Sequence, residues 1–399
     1  MNHAIEQLQD YPFEKLAALY SGISTTSDKS ELNLSIGEPK HPTPAFILEA
    51  LKSHLNLAAK YPKTNGNFEL RETIANWIID RFSLPTTGID ADLNIIPVNG
   101  TREALFAIAQ CIIDKTTSES LVLMSNPFYQ IYEGAALLAG ATPWYINCEA
   151  GAGFQTDYKS VPESVWRQCQ LLYVCSPNNP TGSVLNLSTY EQLLKLADKH
   201  DFVIASDECY SEIYLDEDKA PLGLLEAATI LGRDDFKRCL VFHSLSKRSN
   251  VPGIRSGFVA GDADLIAKFF KYRTYQGCAM APFTQQASIQ AWKDENHVRE
   301  NRRLYREKFL SVVDILKPVM NVELPPATFY LWPETPQSDA SFARGLHQQQ
   351  NVTVLPGSYL SRKVRGINPG ENRIRIALVA SLSECEDAAM RIKNYINEI

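Results

Sequence analysis

The chain has 399 residues, of which 45% are hydrophobic and 21% are charged, and its formal net charge is −7 at pH 7. This length favours more than one domain, and the acidic balance argues against functions that need a basic surface for nucleic acid or an anionic membrane. No uninterrupted apolar run reaches the roughly 18 residues of a membrane span, so we predict no membrane-spanning helix.

Apolar runs and helical patterns alternate along most of the chain. After an N-terminal arm and a polar loop, the apolar runs lie at residues 94–98, 121–124, 171–175, 202–206, 240–242 and 257–260. Helix-like stretches lie at residues 69–81, 101–113, 130–139, 188–200 and 262–272. The apolar runs are nearly continuous, which is typical of strands buried on both faces of a parallel sheet. This alternation predicts an α/β domain.

The C-terminal part has a different pattern. A long charged helical stretch at residues 285–316 precedes two strand-like apolar runs, at 329–332 and 373–379. We interpret this part as a smaller α+β domain. The predicted division is an N-terminal arm and small-domain segment at 1–45, a large domain at 46–285 and a C-terminal small domain at 286–399.

The eight cysteines are scattered along the chain. None belongs to a CxxC pair or lies near a histidine at metal-ligand spacing, so we predict that most of them are buried free thiols and that they form no metal site. This usage fits a reducing compartment, and the N-terminus lacks the apolar core of a signal peptide. We therefore predict a cytoplasmic protein.

Polar residues follow the predicted strands at the edge where a parallel sheet binds ligands. Thr101 opens a helix whose free N–H groups suit a phosphate, and Arg255 offers a bidentate contact to the same group. Asp207, at a buried strand end, suits a protonated ring nitrogen. Lys247 follows another strand and offers an amine.

Neutral groups complete this set. Asn179 and Tyr210 are donors fit for a phenolate oxygen, and Tyr129 offers a flat face for stacking. A phosphate, a pyridinium, a phenolate and an aldehyde that needs an amine are the parts of pyridoxal phosphate (PLP). The residues therefore predict a PLP site.

Four motifs carry a resemblance to a known family. They are Asn-Pro-Thr-Gly at 179–182, Asp-Glu-Cys-Tyr at 207–210, Ser-Leu-Ser-Lys at 244–247 and Pro-Gly-Ile-Arg-Ser-Gly at 252–257. In this order and spacing they resemble the motifs of class I and II aminotransferases, over nearly the whole chain. The resemblance implies PLP fold type I, with a mostly parallel seven-stranded sheet flanked by helices in the large domain.

The resemblance assigns catalytic roles to Lys247, Asp207 and Tyr210. Lys247 would hold PLP covalently and move the proton of the substrate α-carbon, and Asp207 would keep the ring nitrogen protonated. Tyr210 would bind the phenolate oxygen. The other cofactor contacts would come from Thr101, Arg102 (through its backbone N–H), Tyr129, Asn179, Ser244, Arg255 and, across a homodimer with shared active sites, Tyr61.

Substrate binding is implied for Gly37, Asn179 and Arg375. Arg375 would clamp the α-carboxylate in a fork, and Gly37 would bring backbone close to the same group. The substrates would be small amino acids and keto acids. The resemblance also implies cis peptide bonds at Asn126-Pro127 and Asn179-Pro180.

A narrower resemblance is to the proteobacterial N-succinyl-diaminopimelate aminotransferases. It rests on the strings at residues 10–16, 37–44, 273–280, 329–332, 355–360 and 368–370. It implies transamination between glutamate/2-oxoglutarate and N-succinyl-2-amino-6-ketopimelate/N-succinyl-LL-diaminopimelate, on the route to diaminopimelate and lysine. Candidate ligands for the distal carboxylates are Lys40, Arg273, Arg362 and Arg365, which the sequence does not rank.

Other functions remain open at this point. The same PLP-binding residues would serve an aspartate, alanine or aromatic amino-acid aminotransferase, or a C–S lyase. A PLP-bearing transcription regulator is disfavoured because the N-terminal arm is too short for a DNA-binding domain and the chain is acidic. An inactive scaffold is disfavoured because every matched catalytic position is intact.

Overall fold

The structure is a computed structural model that describes residues 2–117 and 119–399. The predicted N-terminal segment includes residue 1 and the predicted large domain includes residue 118, and both residues lie outside the described ones. The strands are β1 (Leu32–Asn33), β2 (Ile95–Val98), β3 (Leu121–Asn126), β4 (Thr142–Asn147), β5 (Cys169–Cys175), β6 (Val203–Asp207), β7 (Cys239–Ser244), β8 (Gly257–Gly261), β9 (Tyr330–Leu331), β10 (Val352–Thr353), β11 (Leu355–Pro356) and β12 (Ile374–Ala377).

The helices surround these strands in sequence and in space. They are α1 (Pro12–Tyr20), α2 (Ala45–Ser53), α3 (Phe68–Arg81), α4 (Thr101–Ile112), α5 (Ile131–Ala139), α6 (Glu163–Trp166), α7 (Leu187–His200), α8 (Leu224–Ile230), α9 (Leu245–Arg248), α10 (Ala263–Gln276), α11 (Pro282–Lys293), α12 (Asn296–Leu316), α13 (Asp339–Gln350) and α14 (Leu382–Glu398). Among the described helices, none combines the length and apolar character that crossing a bilayer requires.

The largest sheet of the described residues has seven strands, in the order β2-β8-β7-β6-β5-β3-β4. Only β8 runs in the direction opposite to the other six strands of this sheet. The α/β class and the mainly parallel seven-stranded sheet are therefore confirmed. The apolar runs marked every strand of this sheet except β4, because β4 is an edge strand whose side chains are mostly part-exposed.

Helices cover both faces of this sheet. Neighbouring side chains of β3 point into different apolar layers, since Leu123 packs in the layer with Ile74 of α3 and Val122 in the layer with Leu105 of α4. All four side chains are at most 1% exposed. Burial on both faces explains why these strands are continuous in apolar residues.

The smaller sheets combine the two ends of the chain. Strands β11, β12 and β9 form an antiparallel sheet, and β1 pairs in parallel with β10 through Leu32 and Val352. Leu32 and Val352 also share an apolar cluster with Phe309 of α12 and Ile392 of α14. This pairing agrees with an N-terminal small-domain segment, although the exact domain boundaries stay a prediction.

The prediction of one long helix over residues 285–316 was wrong. The charged stretch at 285–316 is two helices, α11 and α12, because the backbone of Asp294 is extended and ends α11. The Asp294 carboxylate then accepts the N–H of His297 at 2.9 Å, which satisfies a free donor at the start of α12.

Candidate active site

A cavity of about 330 Å³ lies where β2, β3, β5, β6 and β7 end. Its lining brings together most of the predicted site residues: Gly37, Thr101, Arg102, Tyr129, Asn179, Asp207, Tyr210, Ser244, Lys247, Arg255 and Arg375. Tyr61 is not among them, and its side chain is fully exposed in the single chain. The loops after parallel strands thus converge at one edge of the sheet, as expected.

Lys247 is positioned by the turn that follows β7. The hydroxyl of Ser244 accepts the N–H of Ser246 at 3.1 Å and so caps the short helix α9, which carries Lys247. The Lys247 amine donates to the carbonyl of Gly37 at 2.5 Å. Burial lowers the pKa of this amine to about 8, so more of it is neutral near physiological pH than for an ordinary lysine.

Asp207 ends β6 and is 4% exposed. Its Oδ2 accepts the hydroxyl of Tyr132 at 2.6 Å, and its Oδ1 accepts the N–H of Cys209 at 3.2 Å. Burial raises the pKa of Asp207, while these hydrogen bonds favour its ionised form. Sequence analysis missed Tyr132; the only signal was its spacing of three residues from Tyr129.

The substrate side of the cavity is built around Arg375 on β12. Its Nη1 donates to Oδ1 of Asn179 at 3.1 Å, and its Nη2 donates to the carbonyl of Ser35 at 2.7 Å. Its buried Nε has no hydrogen-bond partner within residues 2–117 and 119–399. A guanidinium that is 4% exposed and keeps an unused donor is suited to a carboxylate ligand.

Tyr330 lies beside this arginine and also lines the cavity. The centre of its ring is 4.3 Å from the Arg375 guanidinium carbon, and its hydroxyl is 3.2 Å from that of Tyr210. A Cβ at Gly37 would lie 1.9 Å from the Tyr330 hydroxyl, so only glycine fits at position 37. Sequence analysis favoured a place in the core of the small domain for the aromatic residues at 329–332, so it did not predict that Tyr330 reaches the site.

The opposite end of the cavity suits an anion. Gly100 precedes α4 with φ of 95°, and a Cβ there would lie 2.2 Å from Nη2 of Arg255. Thr101 therefore begins α4 with free N–H groups directly beside a guanidinium. In the single chain, Arg255 donates to both carboxylate oxygens of Glu103, at 3.0 and 2.8 Å.

The mouth of the cavity is formed by the side chain of Arg102 and two phenols. Its Nη2 donates to the hydroxyl of Tyr11 at 2.7 Å, and its Nε donates to that of Tyr129 at 3.1 Å. Tyr11 precedes α1, so the N-terminal arm borders the cavity together with Pro12 and Phe13. Sequence analysis considered only the backbone of Arg102.

The basic residues suggested for distal carboxylates lie elsewhere. Within the described chain, none of Lys40, Arg273, Arg362 and Arg365 lines this cavity. Arg362 forms an ion pair with Glu133 at 2.6 Å, and Arg273 is buried and donates to the carbonyl of Cys278. Both of these guanidinium groups are therefore engaged away from the cavity.

Comparison with known proteins decides the family. The family model described as aminotransferase class I and II matches residues 29–392. The chain belongs to the class I and II aminotransferases. The predicted class of enzyme is therefore confirmed, and members of this family use PLP.

This aminotransferase is similar to the following three proteins. It is 32% identical to an LL-diaminopimelate aminotransferase from Nitratidesulfovibrio vulgaris over 367 residues, which cover 90% of each chain. It superposes on an aminotransferase from Neisseria meningitidis with a TM-score of 0.95, 50% identity and 99% coverage of each chain. A protein from Thermus thermophilus, described as a probable N-succinyldiaminopimelate aminotransferase, gives a TM-score of 0.80 at 28% identity, covering 96% of this chain and 98% of its own.

The cavity of this aminotransferase fits PLP. The α4 N-terminus with Arg255 suits the phosphate, and the buried carboxylate of Asp207 suits a protonated ring nitrogen. The Lys247 amine faces the same space and suits the aldehyde. The structure also contains the cis bonds expected at Asn126-Pro127 and Asn179-Pro180.

Proposed function

We propose that this aminotransferase transfers the amino group of glutamate to N-succinyl-2-amino-6-ketopimelate, giving 2-oxoglutarate and N-succinyl-LL-diaminopimelate. The observation that carries this proposal is the set of cations lining the cavity, Arg102, Lys247, Arg255 and Arg375. The cofactor phosphate accounts for Arg255, the cofactor aldehyde for Lys247 and the substrate α-carboxylate for Arg375. The remaining cation suits a substrate that has a further carboxylate far from its reacting carbon.

The names of the relatives support the same class of substrate. The Nitratidesulfovibrio relative is named an LL-diaminopimelate aminotransferase. The Thermus structure is described as a probable aminotransferase of N-succinyldiaminopimelate. Both compounds are long amino acids with a carboxylate at the far end. A lysine-pathway role and a cytoplasmic location follow from this proposal.

The residues have separate tasks in the proposed reaction. When bound, PLP supplies a ring that withdraws electrons from the substrate α-carbon. Lys247 Nζ would take up the proton that leaves this carbon and deliver it to the former aldehyde carbon of the cofactor. Arg375 orients the α-carboxylate, which fixes the bond that is cleaved.

The side chains around the ring keep the cofactor in its reactive form. Asp207, held by the Tyr132 hydroxyl, would keep a proton on the ring nitrogen. Asn179 and Tyr210 would donate to the phenolate oxygen, and Tyr129 would stack on the ring. Thr101, the Arg102 N–H, Ser244 and Arg255 would bind the phosphate.

We also propose a homodimer with shared active sites. Tyr61 is 103% exposed in the single chain, which is unusual for a large aromatic side chain and leaves its hydroxyl available to another subunit. In this arrangement Tyr61 would reach the cofactor phosphate of the partner. The active unit would then be the dimer.

A second candidate substrate is LL-diaminopimelate itself, without the succinyl group. The observation that favours it is the name of the Nitratidesulfovibrio relative, at 32% identity over 90% of both chains. The two candidates differ in charge, because succinylation replaces an ammonium group with an amide that carries a carboxylate. A site built for the free amine needs an acceptor where a site for the succinyl group needs a cation.

The test is a half-reaction with the PLP-loaded enzyme and no keto acid, followed through the cofactor absorbance. The amino donors are N-succinyl-LL-diaminopimelate, LL-diaminopimelate, glutamate, aspartate, alanine and tyrosine. Conversion by glutamate and the succinylated compound supports the proposal. Conversion by glutamate and LL-diaminopimelate only would favour the second candidate, and conversion by aspartate or tyrosine but neither diaminopimelate would refute both.

A further inference from the structure

Arg102 differs from the other cations of the cavity in its partners. Arg255 is paired with the Glu103 carboxylate, and Arg375 donates to Asn179 and to a backbone carbonyl. The Arg102 guanidinium donates only to the hydroxyls of Tyr11 and Tyr129. In the part of the chain that the structure describes, no carboxylate pairs with it.

We propose that the Arg102 side chain binds the distal carboxylate of the substrate, so that it selects long dicarboxylic amino acids over neutral ones. This inference rests on the proposed function, because it names the residue that recognises the far end of that substrate. It is separate from the phosphate contact predicted for the Arg102 backbone. The backbone N–H is one of the free donors of the first turn of α4, whereas the side chain lies at the mouth.

The two phenols hold the guanidinium in place before the substrate arrives. Nη2 and Nε each use one donor on a neutral oxygen, and Arg102 has five N–H donors, so others stay free for a carboxylate. A carboxylate is a stronger acceptor for a guanidinium than a neutral phenol, and it can bind in a bidentate way. Arg102 therefore gains a better partner without a large rearrangement.

The position of Arg102 also places its guanidinium at the entrance of the cavity. Arg102 is in the first turn of α4, next to Thr101, so its Cα is fixed relative to the end of the cavity that suits a phosphate. Tyr11 precedes α1, which packs against β11 and α13 rather than against the large sheet. Arg102 thus bridges the two sides of the mouth, and a group bound there lies at the entrance.

The test compares two substrates of equal length that differ in the terminal charge. L-2-Aminopimelate ends in a carboxylate and L-2-aminoheptanoate ends in a methyl group. The measured quantity is the ratio of their kcat/KM values in the PLP-loaded enzyme. A second readout is the Kd of pimelate relative to heptanoate, neither of which has an amino group to transfer.

We expect the ratio to favour the dicarboxylate in the wild type and to fall about tenfold or more in Arg102→Gln, as expected for the loss of a charged hydrogen bond. Arg102→Lys keeps the charge and should recover part of the ratio. Tyr11→Phe is the matched comparison, because it removes a phenol partner but keeps the guanidinium, and it should lower the ratio less than Arg102→Gln does. The pimelate preference in Kd should follow the same order.

The outcomes separate this inference from the proposed function. A ratio that is unchanged in Arg102→Gln, or a wild type with no preference for the dicarboxylate, would overturn the inference even if the succinylated substrate reacts. A ratio that falls as expected in an enzyme that does not turn over N-succinyl-LL-diaminopimelate would support the role of Arg102 and refute the proposed function.

Discussion

The hydroxyl of Tyr132 donates a hydrogen bond of 2.6 Å to Oδ2 of Asp207 at the bottom of the cavity. The ring of Tyr132 is itself fixed, because it stacks on Tyr173 with 4.5 Å between the ring centres. Both tyrosines are 1% exposed. This contact keeps the carboxylate of Asp207 oriented and favours its ionised form in a site where burial opposes the charge.

We therefore expect Tyr132→Phe to lower kcat. Loss of a hydrogen bond to a charged group makes the Asp207 carboxylate a weaker partner for a protonated ring nitrogen, and about a tenfold decrease is expected. KM should change little, since Tyr132 does not line the cavity. The measurement is steady-state kinetics with glutamate as the donor.

Tyr145→Phe is the matched control for this substitution. Tyr145 also donates to a carboxylate, that of Glu133, but outside the cavity lining. If both substitutions lower kcat equally, or if Tyr132→Phe has wild-type kcat, the contact with Asp207 has no role in turnover.

Substitution of the lysine tests the chemistry most directly. Lys247→Ala removes the amine but only one observed hydrogen bond, that to Gly37, so the fold should be kept. We expect kcat to fall by about a thousandfold or more, because loss of a catalytic group that acts with others removes most of the rate enhancement. Circular dichroism and Tm check the fold. Near-normal transamination by this variant would contradict the assignment of Lys247.

The pKa of Lys247 predicts how covalent PLP binding depends on pH. Only the neutral amine attacks an aldehyde, and burial lowers the pKa of Lys247 from 10.5 to about 8. The rate of attachment to the apoenzyme should therefore rise with a midpoint near pH 8 and level off about one pH unit higher. Stopped-flow absorbance measures this rate. A rate that still rises several-fold from pH 9 to pH 10 would mean that the amine is not desolvated.

The strand ends show why much of the site was predictable. Asp207 and Ser244 are the last residues of β6 and β7, so continuous apolar runs followed by polar residues located both from sequence. Their motifs have fixed local spacing, which a sequence displays directly. The edge strand β4 lacks that signal because its side chains are partly exposed.

Contacts between distant segments were not predictable in the same way. Arg102 and Tyr11 are 91 residues apart in sequence, and Tyr132 and Asp207 are 75 apart. No periodicity relates such positions, because their contact depends on how α1 and α5 pack against other elements. For the same reason the sequence did not show that Arg362 forms an ion pair with Glu133 and does not line the cavity.

The proposed homodimer with shared active sites predicts that two different inactive or weakened subunits complement each other. In a hybrid dimer, one subunit carries Lys247→Ala and the other carries Tyr61→Ala. If Tyr61 serves the partner, one cavity has both defects and the other has an intact Lys247 with an intact Tyr61 from the first subunit. The purified hybrid should therefore have half the wild-type activity per dimer, measured at limiting PLP.

The two parent homodimers are the controls for this experiment. The Lys247→Ala dimer should be inactive. The Tyr61→Ala dimer should bind PLP more weakly while its apoenzyme keeps the wild-type Tm, because the Tyr61 side chain is fully exposed within its own chain. If Tyr61 acted within its own subunit, the hybrid would have no intact cavity, since its only Lys247 lies in the chain without Tyr61. Shared active sites would therefore be refuted if the activity of the hybrid were no higher than half that of the Tyr61→Ala dimer. An activity equal to half that of the wild-type dimer requires Tyr61 to act across the interface.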